Sequence, residues 1–320
     1  MSVATLAVSV LGSVLPGTRS NRLLILIYHR VHAHADAMFP RELTAQRFDW
    51  QMELLRRHCA PLSLREGVSR LRAGSLPSRA VAVTFDDGYA DNALVALPIL
   101  KRHKVPATFF VSTGFLDGGC MWNDILIESL RRTSGVSVDL SALGLGVEAL
   151  GSAAQKGELA GRALRAVKHL HPQERLRRVS ELSQSLAVAL PRDLMMTTPQ
   201  IRELAADGME IGAHTVDHPI LRSLSLEEAR EEIAGGRAAL EKITGHRVTS
   251  FAYPNGRPGD DYTRRDRDLV ESMGFEQAVS TTRGVAHQKS DFYQLPRFTP
   301  WDRSPDRWLG RLLLAFGEKR

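Results

Sequence analysis

Two adjacent carboxylates, Asp86 and Asp87, end a short apolar run of the sequence. Residues 81–85 are Val-Ala-Val-Thr-Phe, a β-branched and aromatic pattern that predicts a buried strand, and Gly88 follows the carboxylates. Neighbouring carboxylates repel each other. A bound cation is the commonest reason to hold both, since it keeps one ionised and leaves the other free for proton transfer. Taken alone, the stretch is equally typical of a strand followed by an Asp-Gly turn.

Two histidines, His214 and His218, lie four residues apart after another predicted strand, residues 208–213. If residues 214–218 form one helical turn, both imidazoles lie on its same side and can reach one ion. On an isolated helix such a pair is usually exposed to solvent instead. Because Asp86 and Asp87 also follow a strand, the sequence favours a shared metal site.

A third histidine, His29, directly follows the continuous apolar run of residues 23–28. That run predicts a strand buried on both faces, as in parallel sheets. The end of such a strand is where α/β barrels place their chemistry. On its own, a histidine in this position is more often a packing or capping residue.

These residues need a scaffold that brings them together. Residues 81–85, 92–103 and 105–111 predict a strand, a helix and a strand, which is a βαβ unit with parallel strands. Further strands are predicted at 23–28, 208–213, 248–253, 275–280 and 295–298. Further helices are predicted at 44–59, 63–71, 198–206, 224–243, 266–273 and 308–316, with Ser225 and Glu228 as a capping box for the helix at 224–243.

The stretch from 123 to about 195 predicts helices at 125–130, 158–170 and 172–190, and no strand. It has the character of a helical insertion that is rich in arginine. This basic surface is either a solvated face or a means of gripping a long or anionic substrate.

Composition limits the function further. The chain has 320 residues, 43% hydrophobic and 24% charged residues and a formal net charge of +6, which is ordinary for a globular protein with one large core or two modest ones. Dense basic runs with interleaved aromatic residues, typical of nucleic-acid binding, are absent from the sequence. Anionic membrane surfaces and acidic polymers remain candidate partners. The two cysteines, Cys59 and Cys120, indicate no disulfide framework.

The apolar run at residues 3–15 is too short for a membrane span and lacks the basic flank of a secretory signal. It predicts either a packed first helix or an interfacial one. We therefore expect a cytoplasmic or membrane-peripheral protein rather than a periplasmic or extracellular one.

Four motifs, in this order, resemble those of the polysaccharide deacetylases (NodB-homology, carbohydrate esterase family 4). They are Tyr28-His29-Arg30-Val31, Thr84-Phe85-Asp86-Asp87-Gly88, His214-x-x-x-His218 and Phe251-Ala252-Tyr253-Pro254-Asn255-Gly256. The likeness is closest to the branch that acts on exopolysaccharides such as poly-N-acetylglucosamine. It implies an α/β fold, a distorted (β/α)7-type barrel, formed by residues 22–320 with the insertion at about 123–195, after an N-terminal segment of residues 1–21.

The resemblance also implies roles for individual residues. Asp87, His214 and His218 match the metal ligands, and one carboxylate with two imidazoles suits Zn²⁺, with Co²⁺, Ni²⁺ or Fe²⁺ as alternatives. Asp86 matches the general base. The turn at Tyr253, Pro254 and Asn255 matches the element that supports the oxyanion, through the backbone N–H of Asn255.

The sequence departs from the commoner family pattern in two places. Residues 295–297 are Leu-Pro-Arg, where the common pattern has a catalytic histidine, and no arginine precedes Pro254 in the third motif. In the exopolysaccharide branch, the Tyr-His motif near the N-terminus supplies the general acid instead, so His29 is the expected general acid. Arg297 is expected to pair with Asp86 and keep it ionised.

The expected function is therefore metal-dependent removal of acetyl groups from N-acetylhexosamine units of an exopolysaccharide or its precursor. Two alternatives are a metal-dependent amidohydrolase for a small amide and a non-catalytic carbohydrate-binding barrel. The expected partner is a polysaccharide or oligosaccharide, with no nucleic acid and with peripheral membrane association as an option. The oligomeric state, the sugar and the linkage are not predicted.

Overall fold

The computed structural model describes residues 21–317, so the helix expected at residues 3–15 lies outside the described range. The described strands are β1 (Arg22–Tyr28), β2 (Ala60–Leu62), β3 (Ala80–Phe85), β4 (Ala107–Val111), β5 (Ser137–Asp139), β6 (Val147–Ala149), β7 (Glu210–Ala213), β8 (Ser250–Ala252), β9 (Gln277–Arg283), β10 (Ala286–His287) and β11 (Leu295–Arg297). The described helices are α1 (Ala45–His58), α2 (Leu64–Arg72), α3 (Leu97–His103), α4 (Trp122–Arg132), α5 (Ala153–Val167), α6 (Pro172–Ser185), α7 (Thr198–Ala206), α8 (Leu226–Thr244), α9 (Arg264–Ser272) and α10 (Pro305–Gly317).

One large sheet forms the centre of the fold. Its strand order is β10-β1-β3-β4-β7-β8-β9-β11, with β2 also paired to β3. All of these pairs are parallel except β10 with β1. The sheet closes between β11 and β1, because Phe298, just after β11, donates its N–H to the carbonyl of Ile25 at 2.8 Å and accepts from the N–H of Ile27 at 3.1 Å. This nearly closed, eight-stranded arrangement confirms the expected distorted α/β barrel.

The central strands are apolar because both of their faces are covered. Every residue of β3 is buried, and so is every residue of β1 except Arg22. At the carboxyl ends of these strands, the Phe85 ring stacks on Phe109 at 4.8 Å and on Tyr28 at 5.4 Å. This aromatic packing fixes the ends of the strands, and so it fixes the positions of the polar residues that follow them in the chain.

Parallel pairing brings the carboxyl ends of the strands to one edge of the barrel. Tyr28 at the end of β1 pairs with Phe85 at the end of β3, so His29 and Asp86 leave neighbouring strands at the same level. β4 and β7 also stay in register to their last residues. The residues after β1, β3, β7, β8 and β11 therefore converge at this edge.

The helices follow the signals in the sequence. Helix α8 begins after Ser225, whose side chain accepts from the N–H of Glu228, while the Glu228 carboxylate accepts from the N–H of Ser225. The predicted capping box is thus confirmed. The helix expected at 92–103 is split, because residues Asn92–Ala96 form a π-helical turn that leads into α3. Within residues 21–317, none of the helices combines the length and apolar character needed to span a bilayer.

The insertion between β4 and α7 contains α4, α5 and α6 and has a hydrophobic core of its own, built around residues such as Leu126, Leu159 and Val179. The expectation of no strand here was wrong, because β5 and β6 form a short antiparallel hairpin. Each of these strands has only three residues, and most of those are exposed. Such short, exposed segments carry no periodic signal that sequence analysis can detect.

Candidate active site

A cavity of about 280 Å³ opens at the carboxyl edge of the barrel. Residues predicted from the sequence that line it are His29, Asp86, Asp87, His214, His218 and Asn255. They come from the ends of four strands that are far apart in the chain. Further lining residues are Trp122, Asn123, Leu164, Arg165 and Lys168 of the insertion and Thr281 of β9.

Asp87, His214 and His218 lie close enough to share an ion. An Asp87 carboxylate oxygen, Oδ1, is 3.4 Å from His214 Nε2 and 3.3 Å from His218 Nε2. One ligand atom from each residue can be chosen so that all three lie within 4.8 Å of one another. Two imidazole nitrogens and one carboxylate oxygen form a donor set that suits a divalent metal and leaves coordination positions open. The predicted triad is therefore assembled as a metal-binding geometry.

The imidazole of His214 is oriented by the neighbouring strand. Its Nδ1 lies 2.7 Å from the carbonyl oxygen of Ala252, at the end of β8. A carbonyl oxygen can only accept, so Nδ1 donates its hydrogen to it, and Nε2 is directed toward Asp87. The hydroxyl of Ser112 also donates to the carbonyl of His214 at 2.8 Å.

The prediction of a helical turn at residues 214–218 was wrong. These residues form a loop in which Thr215 and His218 have positive φ angles of 67° and 51°. The hydroxyl of Thr215 accepts from the N–H of His218, and the carboxylate of Glu232 on α8 accepts from the N–H groups of Val216 and Asp217. The loop still brings the two imidazoles together, with ring centroids 4.8 Å apart.

The electrostatics of the triad agree with ligand chemistry. Burial lowers the pKa of His218 to about 3, so this imidazole is neutral at pH 7. Burial acts to raise the pKa of Asp87, but the hydrogen bond and the electrostatic attraction of the His214 side chain oppose it, and the pKa lies well below its usual range. A neutral imidazole and an ionised carboxylate are the forms that bind a metal.

Asp86 and Arg297 form a buried, bidentate ion pair. Arg297 Nη1 and Nη2 each donate to one Asp86 oxygen at 2.7 Å, and Arg297 Nε donates to the carbonyl of Ser280 at 2.8 Å. Burial opposes ionisation of Asp86, but Arg297 and His214 overcome this effect and lower its pKa below the usual value. The pairing expected from the sequence is present, and Asp86 is ionised at neutral pH.

The turn after β8 carries Asn255 into the cavity. Asn255 has a φ of 59°, and its carbonyl accepts from the Thr281 hydroxyl at 2.8 Å. Its backbone N–H has no hydrogen-bond partner among residues 21–317. Tyr253 and Pro254 do not line the cavity. The Tyr253 hydroxyl donates instead to the carbonyl of Tyr293 at 2.8 Å, so this ring supports the turn from below.

His29 is exposed and lies between two openings. It lines the cavity and also a larger groove of about 440 Å³, which shares Asp87 and Asn123 with the cavity and extends to the exposed Trp301. The carbonyl of His29 accepts from Asn92 at 2.8 Å, which holds the backbone in place.

The sequence carries no signal that marks Thr281 or the lining residues of the insertion as part of the site. Thr281 lies in the middle of a strand sequence, without a local signal of function. Leu164, Arg165 and Lys168 belong to a helical pattern like that of any surface helix. Only the tertiary placement of the insertion could reveal their position.

Comparison with known proteins gives the same family. The family model for polysaccharide deacetylase matches residues 73–138 and 173–278, which is more than half of the chain. YxkH of Bacillus subtilis (strain 168), which is named as a polysaccharide deacetylase, is 22% identical over 277 residues, covering 86% of this chain and 70% of YxkH.

Two further relatives are informative. A poly-beta-1,6-N-acetyl-D-glucosamine N-deacetylase of Staphylococcus aureus is 31% identical over 109 residues, but the match covers only 30% of this chain and 38% of that enzyme. The fold resembles that of the Streptococcus pyogenes deacetylase PplD, with a TM-score of 0.59, 21% identity and coverage of 92% and 98% of the two chains. The chain therefore belongs to the polysaccharide deacetylase family and is a hydrolase of amide C–N bonds.

Proposed function

We propose that this protein removes acetyl groups from N-acetylhexosamine units of an exopolysaccharide or its precursor in a metal-dependent reaction. The main support for the proposal is that a set of metal-ligand side chains and an ionised carboxylate line the same cavity. Asp87, His214 and His218 have ligand atoms within 4.8 Å of one another, and Asp86 is held ionised beside them by Arg297. The match to the N-deacetylase of Staphylococcus aureus supports the choice of sugar.

Asp87, His214 and His218 would hold the divalent cation, and Zn²⁺ is the metal that this donor set suits best. When bound, the cation supplies Lewis acidity, which makes water a better nucleophile and an amide carbonyl a better electrophile. The chain's own residues must then move protons and stabilise charge around the acetamido group.

Asp86 is the proposed general base. Its carboxylate is buried and ionised, and each of its oxygens, although it accepts from Arg297, has a second lone pair to receive a proton from the attacking water. Arg297 does not itself contact the substrate in this mechanism. It positions the carboxylate and keeps it charged.

Asn255 is the proposed oxyanion donor. As the carbonyl carbon becomes tetrahedral, negative charge develops on the acetyl oxygen, and a preorganised N–H aimed at it lowers the barrier. Asn255 lines the cavity, and its backbone N–H has no partner among residues 21–317. Tyr253 and Pro254 fix the turn that presents it.

His29 is the proposed general acid. The amine leaves only if its nitrogen is protonated, because an amide anion is too basic to depart. His29 lies at the junction of the cavity and the groove, so its imidazole can reach a sugar nitrogen while the rest of the saccharide occupies the groove.

An acetate-release assay on N-acetylglucosamine oligomers, coupled to elemental analysis, tests this function. We expect Asp87→Ala and His214→Ala to lose both bound metal and activity, while Asp86→Asn keeps the metal and loses activity. Asp217→Ala, in the exposed part of the same loop, is the matched control and should retain both.

Other outcomes would contradict the proposal. Hydrolysis of a panel of small amides without acetate release from oligomers would indicate an amidohydrolase of small molecules. Metal binding without any hydrolysis would indicate a carbohydrate-binding barrel.

A further inference from the structure

Helix α5 of the insertion brings positive charge to the wall of the catalytic cavity. Arg165, in the last turn of α5, and Lys168, just after it, line the same cavity as Asp87, His214 and His218. Lys168 Nζ is 3.5 Å from Asp261 Oδ1, so its charge is partly balanced. Arg165 has no ion-pair partner within residues 21–317.

A third cation stands behind this wall. Arg175 on α6 is only 2% exposed, and its guanidinium stacks on the Trp122 ring, 4.4 Å from the centroid. Its Nη1 donates to the carbonyl of Lys168 at 2.9 Å, whereas its Nε has no hydrogen-bond partner in the described part of the chain. Burial lowers the pKa of Arg175 to about 10, so the group remains charged at neutral pH.

Other arginines of the insertion are neutralised locally. Arg162, one turn before Arg165, pairs with Glu148 at 2.8 Å, and Arg177 pairs with both Glu174 and Glu181 at 2.7 Å. These pairs fit the expectation of a solvated basic face. The cavity wall differs, because Arg165 has no ion-pair partner in the described part of the chain and Lys168 has only Asp261, at 3.5 Å.

Burying the charge of Arg175, and partly burying that of Lys168, is costly unless an anion balances them, and the exposed Arg165 adds an unpaired charge beside them. The cavity provides the space for such an anion, and Trp122 provides an apolar surface for the body of a sugar ring. The region also lies beyond the shared features of the family, because residues 139–172, which contain α5 and Lys168, fall in the gap between the two matched ranges.

We propose that Arg165, Lys168 and the buried Arg175 form an anion subsite, so that the substrate carries a carboxylate or phosphate next to the N-acetylhexosamine that is deacetylated. The proposal rests on the proposed function and narrows its substrate to an anionic glycan. A carboxylate would come from a uronic acid in the polymer, and a phosphate would come from an activated or lipid-linked precursor. Arg165 and Lys168 contact the anion, and Arg175 acts as a positioning residue through Lys168 and Trp122.

Binding measurements test the subsite without relying on the reaction. Isothermal titration calorimetry of the full chain, with a chelator present, would compare two pairs of probes. The first pair is a hyaluronan tetrasaccharide, in which N-acetylglucosamine alternates with a uronate, and neutral chitotetraose. The second pair is N-acetylglucosamine 1-phosphate and N-acetylglucosamine. We expect at least one anionic probe to bind about tenfold more tightly than its neutral counterpart, as for one charge-assisted hydrogen bond, and to weaken with added salt.

The variants make the assignment specific. Arg165→Gln, at an exposed position, and the double variant Arg165→Gln/Lys168→Gln should each reduce this preference, the double variant to near unity. Arg162→Gln, on the same helix but paired with Glu148, is the matched control and should keep the wild-type preference. If only the hyaluronan tetrasaccharide binds more tightly than its neutral counterpart, the anion is a uronate. If only N-acetylglucosamine 1-phosphate does so, the anion is the phosphate of a precursor.

Kinetics separate this proposal from the proposed function. In the metal-loaded enzyme, the ratio of kcat/KM for the hyaluronan tetrasaccharide to that for chitotetraose should fall about tenfold in the double variant if the anion is a uronate. If no probe is hydrolysed but anionic probes bind through Arg165 and Lys168, the proposed function fails and the subsite stands. Equal binding of anionic and neutral probes, or a preference unchanged in the double variant, overturns the subsite.

Discussion

The adjacent carboxylates Asp86 and Asp87 coexist because each has its own partners. Asp86 faces the guanidinium of Arg297, while Asp87 faces the imidazoles of His214 and His218. The two side chains thus diverge into different sites, helped by the positive φ of 77° at Asp87. The repulsion that the sequence predicts is relieved by separate counter-charges, and the two carboxylates are suited to different tasks.

Removing Arg297 should destabilise the protein strongly. Arg297→Met leaves the buried Asp86 carboxylate without a counter-charge, and breaking a buried pair in this way costs about 3–5 kcal/mol. Chemical denaturation would measure this loss in the free energy of unfolding. The double variant Asp86→Leu/Arg297→Met, which removes both charges, should recover much of it. A double variant that is less stable than Arg297→Met would contradict the argument.

Asp124, a buried residue of α4, should make stability depend on pH. Burial raises its pKa to about 7, and its carboxyl group accepts from the Tyr89 hydroxyl at 3.1 Å. Between about pH 4 and pH 7 the folded protein therefore holds a proton that the unfolded chain has released, so this group's contribution to stability is lost as pH rises through that range.

The expected test is Asp124→Asn, which keeps a hydrogen-bond acceptor for Tyr89 but cannot ionise. At pH 8 the variant should be more stable than the wild type by roughly 2–4 kcal/mol, and at pH 4 the difference should disappear. Thermal unfolding at both pH values measures it. Equal stability of the two proteins at pH 8 would show that the carboxyl group ionises without cost.

At the scale of elements, the strands could be predicted from the sequence, but the conformation of the loop that carries His214 and His218 could not. Continuous apolar runs at residues 23–28 and 81–85 predict buried parallel strands, and parallel pairing then brings the strand ends together. The spacing of His214 and His218 predicts convergence, but through a helical turn that does not exist. The actual loop depends on Glu232, which lies on α8 and accepts from two loop N–H groups, a contact that no local pattern encodes.

Gly236 on α8 allows the helix to approach this loop. A Cβ atom at position 236 would lie 2.6 Å from the carbonyl oxygen of Thr215, a backbone atom that cannot move without shifting the loop. We expect Gly236→Ala to displace the loop that carries His214 and His218, and so to weaken Zn²⁺ binding at least tenfold when measured by competition with a chelating dye.

Gly235→Ala is the matched control for this prediction. A Cβ there would meet only the side-chain Cγ2 atom of Val216, at 3.0 Å, and alanine is favoured over glycine in a helix by up to about 1 kcal/mol. We expect Gly235→Ala to bind Zn²⁺ like the wild type. Equal affinities for all three proteins would show that the close approach of α8 does not determine the ligand geometry.

At the scale of the whole molecule, the sequence predicts the barrel and its metal-ligand residues, but not where the helical insertion lies against them. The residues of the barrel edge follow strands, and their order along the chain identifies the family. The insertion packs around its own core, and only its final position brings Arg165 and Lys168 to the cavity. That position depends on contacts between distant segments, so no motif or periodicity could predict it.

Metal binding should stabilise the whole fold, because Asp87 follows β3 while His214 and His218 come from a loop more than 120 residues later in the chain. A ligand that binds only the folded state adds about 2.7 kcal/mol at a concentration one hundred times its Kd, which raises the Tm by several degrees for a protein of this size. We expect Zn²⁺ to produce such a shift in the wild type and in Asp217→Ala, and a chelator to reverse it. His218→Ala should show almost no shift, since two ligands remain. A full shift in His218→Ala would place the ion elsewhere and contradict the shared site.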